Sequence, residues 1–322
     1  MRDLDAIWAD VEPWLAERET RRKTAVKRFA SAVALAVIGG LAVGGAVVLV
    51  GLEHPFPLIA GALFAFGAVS WGGYPLGKLR KEIKLGLNER LAGAFGLRYT
   101  AKPVSPARFD AFTSHGLVPR GDRRSFEDNF AGEAHGAEFE LYEAHVEERR
   151  RSKRRTYYVT IFRGVLIRIR FPRTIEGVTL ITRDKGVFNM FEGWAKKTFG
   201  SRNLDRIGLV DPSFEELFEV YGTDQVMARY LLTPSFMERL LKLEEALKGK
   251  NVRAVFDETL AEGAGEGELL IAAETGNQFE PGTLFKPLAD RQRVARLHAE
   301  FSLVEDVVET VVAPARFEDG ER

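Results

Sequence analysis

The run Phe29–Leu52, FASAVALAVIGGLAVGGAVVLVGL, carries no charged side chain, and its reading decides the fold. As a helix it extends about 36 Å at 1.5 Å per residue, enough to cross a hydrocarbon core of roughly 30 Å. A second uncharged stretch, Pro55–Gly77, follows after only Glu53 and His54, so the two spans must run antiparallel. Trp71 and Tyr74 stand near the end of the second span, where an interfacial aromatic belt belongs. A cleaved signal peptide has a shorter apolar region, starts earlier and is not followed by a second span. Two successive uncharged runs also exceed what a buried soluble hairpin needs. The sequence predicts a transmembrane helical hairpin over residues 29–77.

Flanking charge sets the expected orientation. Arg18, Arg21, Arg22, Lys23, Lys27 and Arg28 precede the first span; Lys78, Arg80, Lys81 and Lys84 follow the second; the connecting loop has no Lys or Arg. The positive-inside rule puts both termini in the cytoplasm and the Glu53–His54 loop outside, in a multi-pass protein of the plasma membrane. The spans contain no ionisable group that would serve an ion or proton path, so the hairpin reads as an anchor in the lipid bilayer. Ala32, Ala36, Gly40 and Gly44 recur at every fourth position, a stripe that lets helix backbones approach. Packing on the second span, where Gly61, Ala65, Ala68 and Gly72 reciprocate, is one use of it. A homo-oligomer through Ala36, Gly40 and Gly44 is the other.

The 322 residues include 46 basic and 46 acidic side chains, a balance that does not steer the chain toward nucleic acid. Cysteine is absent, which excludes disulfides, a thiol nucleophile and thiolate metal sites. The five histidines are scattered, with no HxxxH or HExxH spacing. No metal, cofactor or catalytic residue is expected from these patterns.

Residues 1–28 read as an amphipathic helix, with Leu4, Ile7, Trp8, Val11 and Leu15 on one face. Its polar face is acidic through Glu12, unlike an interfacial membrane helix, so it is expected to pack on the soluble domain. Pro13 is expected to bend it or mark a boundary. Residues 78–322 read as a cytoplasmic α+β domain with a mainly antiparallel sheet and packed helices. Lys78–Phe95 continues the second span as a stalk, and Ser105-Pro106 starts a short helix to about His115. Strands begin near Phe130. Arg163-Gly164 is a two-residue turn candidate between Tyr157–Phe162 and Val165–Phe171, the latter alternating apolar residues with Arg168 and Arg170. A strand at Val178–Thr182 precedes two helices, one capped by Thr223 and one by Thr233 with Pro234 at its first position; the second ends at Gly249. Strands at Val252–Phe256 and Glu268–Ala273 lead to a last helix, Leu288–Val312. There Val294, Leu297, Phe301, Val304, Val308 and Val311 keep the 3–4 spacing of a helix-pair seam, with the amino-terminal helix or the stalk as the expected partner.

Several segments invite a chemical reading. GGYPLGK at Gly72–Lys78 imitates a P-loop, but Leu79 replaces the Mg²⁺-binding hydroxyl and a membrane span replaces the strand. Gly263–Gly267 is better explained as a hairpin loop, because Glu262, Glu266 and Glu268 would repel phosphate. Ser114-His115 lacks a nucleophile elbow and a placed carboxylate. Arg149, Arg150, Arg151, Lys153, Arg154 and Arg155 form a basic run read as a loop, and Arg168 and Arg170 extend the same sign. It is either a solvated loop or an attachment point for anionic lipid headgroups, each worth roughly 1 kcal/mol per basic residue near the surface. Ala254–Phe285 lacks Lys and Arg and carries seven acidic residues, so the domain is expected to be dipolar.

Phe162-Arg163-Gly164, Asp224-Gln225 with Ala228-Arg229, Leu232-Thr233-Pro234 and Phe279-Glu280-Pro281 carry a family resemblance. Through them the chain resembles the bacterial membrane proteins catalogued as domain of unknown function thirty-one thirty-seven, over most of its length and including the hairpin. The resemblance implies a bacterial inner-membrane protein with a cytoplasmic domain, and no activity. The expectation is a membrane-anchored interaction or scaffold module with a basic lipid contact. The alternative is an enzyme whose site is assembled from dispersed Asp, Glu and Arg residues.

Overall fold

A computed structural model describes residues 3–51, 54–106, 108–152, 155–183, 204–209, 211–247, 250–260 and 266–318. They form two compact units: a helical unit of residues 2–91 and 280–295, and a sheet unit built on residues 92–279 and 296–322. Gly249, Lys153, Arg154, Glu53, Glu262 and Gly263–Gly265 lie outside the described residues.

In the helical unit, α1 (Leu4–Leu49) is one helix of 46 residues and α2 (Phe56–Ala94) one of 39. Both are longer than the roughly 20 residues a bilayer requires. Only 11% of the most apolar window of α1 is buried, and 6% of that of α2. A core helix of a soluble protein would be mostly covered; here Ile38, Leu41, Leu63 and Phe66 are at least two-thirds exposed. By length and composition both helices are able to cross a membrane.

The small-residue stripe faces the second helix. A Cβ on Gly40 would stand 3.0 Å from the Gly61 carbonyl oxygen, one on Gly44 3.1 Å from that of Pro57, and one on Gly72 2.1 Å from the Ala32 Cβ. Packing within the hairpin thus uses the stripe.

Below the spans the amino-terminal segment continues α1 without a break at Pro13. Ile7, Val11 and Leu15 are buried, as are Leu79, Ile83, Leu87 and Leu91 of α2. Trp14 packs where a Gly86 Cβ would stand, 2.3 Å from its ring, and is flanked by the guanidinium groups of Arg18 and Arg90 at 4.2 and 4.5 Å. Within this unit the amino-terminal part of α1 meets the α2 stalk, the first part of residues 78–322. Arg18 and Arg21 both donate to Glu82, at 3.0 and 2.8 Å. The Arg21 and Arg18 bonds hold the Glu82 carboxyl below its usual range, against the opposing effect of burial. Glu280 likewise accepts from Arg80 and Lys84, and Arg22 donates to the Leu284 carbonyl.

The sheet unit is antiparallel throughout its described pairings. In order across the sheet stand β1 (Arg98–Thr100), β2 (Arg123–Ala134), β3 (Ala137–Ser152), β4 (Arg155–Phe171), β9 (Gly267–Glu274), β8 (Lys250–Asp257), β5 (Val178–Arg183), β7 (Phe218–Gly222) and β6 (Asp205–Arg206). The α+β class read from the sequence is the observed one. The turn expected at Arg163-Gly164 is not formed: β4 runs straight through it as a 17-residue strand. Gly164 is there because β9 crosses too close for a side chain; its Cβ would lie 1.9 Å from the Ala273 carbonyl oxygen.

One sheet face holds Leu141, Val165, Ile167, Ile169, Ile271 and Phe256, all buried, and Phe256 meets Phe236 of α6 (Pro234–Ala246) at 5.7 Å. On α7 (Arg291–Glu318), Leu297, Phe301, Val304 and Val308 are buried. Phe301 packs on Phe95, Phe130 and Phe279 at 5.4, 4.7 and 5.7 Å. The helical seam therefore meets an aromatic cluster that includes β2, and not a second helix alone. The opposite face packs Tyr142, Leu166, Leu180, Val255 and Leu270 against Phe109 and Phe112 of α3 (Phe109–Ser114). Between β7 and α6 lie the remaining caps. Thr233 accepts from the Phe236 amide as expected. Asp224, and not Thr223, caps α5 (Gln225–Leu231), through the Val226 and Met227 amides; Thr223 accepts from the Val178 amide instead. The single turn Pro212–Glu215 is α4.

Candidate functional site

Strands β3 and β4 pair from Glu138–Arg170 out to Ser152–Arg155. Their neighbours stop short: β2 reaches Glu147, and β9 reaches back only to Gly164. The last five pairs, Glu148–Val159 to Ser152–Arg155, thus form a two-stranded ribbon beyond the rest of the sheet, about 17 Å long at 3.4 Å per residue and tied at its root by the Arg149 amide, which donates to Asp122 at 2.7 Å. A register shift between Val146 and Glu147 marks its root, where a bulge bends and twists the strands. The basic run is therefore strand rather than loop for Arg149, Arg150, Arg151 and Arg155.

Pairing places Arg149 opposite Tyr158 and Arg150 opposite Tyr157, with Arg151 opposite Thr156. Because side chains alternate, each ribbon face carries arginine and one tyrosine. All four described arginines are exposed, and the tyrosines are 42% and 41% exposed. Arg150 bonds Glu148 at 3.0 Å, and Arg123 lies 4.2 Å over the Tyr158 ring.

Arg168 and Arg170 sit elsewhere on β4 and face other groups. Glu268, fully buried on β9, is bracketed by Arg168 at 2.9 Å and Arg108 at 3.0 Å. Two guanidinium groups offset what burying that carboxylate would cost alone. Arg170 pairs with Glu138 directly across on β3, at 2.6 Å. This ladder borders an open basin of about 350 Å³ lined by Arg98, Glu133, Glu138, Glu140 and Arg168. The structure thus separates the arginines that the charge run grouped together: four on the ribbon, two in the ladder.

Two further clusters were not visible in the sequence. His115, at the carboxyl end of α3, receives a carboxylate partner after all: its Nε2 lies 2.9 Å from Asp257 Oδ2. Its Nδ1 faces the Ala111 carbonyl at 2.9 Å, and Ser114 Oγ, 3.3 Å from the ring, also bonds that carbonyl. The serine is thus held by its own helix turn, and the cluster ties α3 to the end of β8. Burial pushes the Asp257 carboxyl up, but the His115, Thr259 amide and Thr259 hydroxyl bonds outweigh it and bring it to about 2. The second cluster is Glu127, Asp128 and Glu143, whose carboxylate oxygens lie within 4.8 Å of one another. Such hard oxygen ligands suit a cation. Here Asp128 accepts from the Tyr99 hydroxyl at 2.6 Å, and Glu143 from the Gln278 and Phe279 amides. Fifteen residues of chain between Glu127 and Glu143 hid this convergence; a bulge beside Asp128, at φ 52°, creates it.

Residues 160–312 match the family model described as Protein of unknown function (DUF3137), the family the sequence resembles. The match covers just under half of the chain and begins on β4, so it does not extend to the apolar helices as the resemblance did. Its residues quoted above are the Asp224 and Thr233 caps, the close approach at Gly164, Phe279 in the aromatic cluster and Glu280 between Arg80 and Lys84. No curated protein matches the chain. Among solved structures it is similar to the crystal structure of the mycobacterial trehalose monomycolate transport factor A, TtfA. That likeness has 12% identity and a TM-score of 0.34, over 70% of this chain and 93% of that one.

Proposed function

We propose that this protein is a membrane-anchored, non-catalytic module of a bacterial inner membrane, whose arginine–tyrosine ribbon contacts anionic lipid headgroups. The observation that carries the reading is the exposure of the two apolar helices, 11% and 6% buried over their most apolar windows. Apolar surface on that scale needs a partner, and uncharged helices of this length suit the acyl region. The ribbon supplies the second contact. Arginine binds phosphate through its planar fork, and tyrosine is at home where an apolar phase meets water. The arginines of β4 that an enzyme could use are engaged with carboxylates: Arg168, with Arg108, on Glu268, and Arg170 on Glu138.

Both halves are testable on the full chain. Alkaline carbonate should leave it in the membrane fraction; release would refute the anchor. Because the chain lacks cysteine, Ser152→Cys carries a single environment-sensitive dye at the ribbon end. In proteoliposomes containing phosphatidylglycerol the dye should report a less polar setting, reversed by high salt. An identical signal in phosphatidylcholine vesicles would refute the lipid contact.

A further inference from the structure

The small-residue packing of the hairpin ends at Gly72 and Ala32. A groove of about 320 Å³ opens there between α1 and α2. Its floor includes Ala25, Pro75 and Leu79; Arg21, Arg28 and Lys78 stand at its edges. It lies at the junction where the uncharged spans give way to the basic flanks. The three cations are not equivalent. Arg21 is neutralised by a two-pronged bond to Glu82, both contacts at 2.8 Å. Among the described residues, Arg28 and Lys78 have no carboxylate partner. Arg28 is instead held 4.0 Å over the ring of Trp71, which fixes its guanidinium at the level of the belt residue.

We infer that this groove is a binding site for the phosphodiester headgroup of one anionic phospholipid. Arg28 and Lys78 bind the phosphate, and the acyl chains run down the exposed apolar faces of α1 and α2. Charge complementarity selects the occupant. Two unneutralised cations beside an apolar floor match a ligand that joins one net negative charge to hydrocarbon. A zwitterionic lipid would bring its ammonium group toward Arg21, Arg28 and Lys78. The inference rests on the hairpin being embedded in the bilayer. It concerns a different site from the ribbon, formed by different residues.

The test is native mass spectrometry of the delipidated full-length protein in mild detergent, titrated with phosphatidylglycerol or phosphatidylcholine. One phosphatidylglycerol should be retained at about tenfold lower concentration than phosphatidylcholine, equivalent to about 1.4 kcal/mol. The R28Q/K78Q double variant should lose that preference, while K23Q/K27Q, which removes equal charge outside the groove, keeps it. Should R28Q/K78Q not fold, K78Q alone must still reduce the preference several-fold. Equal retention of the two lipids by the wild type, or a preference that survives the groove substitutions, overturns the site. Displacement of the lipid by millimolar inorganic phosphate would overturn the lipid assignment in favour of a free-phosphate site. Carbonate extraction separates the premises: a protein released by alkali refutes the embedded hairpin, whereas one that stays but shows no lipid preference refutes only the groove.

Discussion

Gly164 and Asp257 show how much of this structure rests on single residues whose partners are distant in sequence. A Cβ at residue 164 would lie 1.9 Å from the Ala273 carbonyl oxygen, so Gly164→Ala must push β9 away from β4. Overpacking costs about 1–3 kcal/mol in a core that relaxes, and backbone relaxes less readily than a side-chain tip. The expected outcome is a loss at or above the upper end of that range, read from the denaturant midpoint of the full chain in detergent. Asp257 titrates from 3.8 when unfolded to about 2 when folded. Its folded value is depressed, so its stabilisation is complete above about pH 4 and disappears as pH falls through 2. The shift is worth about 2 kcal/mol. Asp257→Asn should therefore be less stable than the wild type at pH 5, and the difference should shrink toward pH 2. A constant difference over that window would remove Asp257 as its source. Ser114-His115 has no carboxylate beside it in the sequence, and no pattern connects positions 115 and 257. The fold brings them together by packing α3 over the sheet.

Elements defined by local chemistry were legible. Uncharged length announced α1 and α2, Thr233-Pro234 announced α6, and short apolar runs announced β5, β8 and β9. What failed were readings in which a residue had two available roles. Arg163-Gly164 has turn composition, yet its glycine serves a close strand approach; Thr223 has cap chemistry, yet Asp224 is one residue better placed. The seam of α7 has helix-pair spacing, but a sheet covered with Phe130 and Phe279 accepts the same stripe. For the candidate site, sequence showed which residues were basic but not their geometry. Only pairing register reveals that Arg149–Arg151 lie on a two-stranded ribbon while Arg168 and Arg170 lie in an ion-pair ladder. The hairpin yields its own contrast. A Cβ on Gly61 would stand 2.7 Å from the Gly40 carbonyl oxygen, whereas one on Gly67 meets nothing within 4 Å. Gly61→Leu should separate the helices and lower the melting temperature in detergent by several degrees; Gly67→Leu, directed outward, should leave it unchanged. Equal effects of the two would show that the small-residue contact does not hold the pair together.

At the scale of the molecule, orientation is the property that matters most for the proposed function, and the orientation proposed rests on charge at one end of an antiparallel pair. The basic flanks of both helices meet there: Arg18 and Arg21 of α1 reach Glu82 of α2, and Arg80 and Lys84 of α2 reach Glu280. In these networks Arg21 and Arg80 are more than half exposed, while Arg18, Lys84 and Glu280 are largely covered; the proposed anchor places that end outside the hydrocarbon. The other end, around His54, carries no Lys or Arg. Translocating the basic end would move both clusters across the bilayer, whereas translocating the His54 turn moves none, which is the content of the positive-inside rule. The absence of cysteine makes the consequence directly measurable. A cysteine replacing His54 should react with a membrane-impermeant maleimide in intact cells from which any outer barrier has been removed. Cysteines replacing Lys23 or Ser152 should react only after the membrane is opened. The reverse pattern would overturn the orientation while keeping two spans. Equal reaction of His54→Cys and Lys23→Cys from one side would overturn the hairpin itself, and with it the lipid contacts proposed for both the groove and the ribbon.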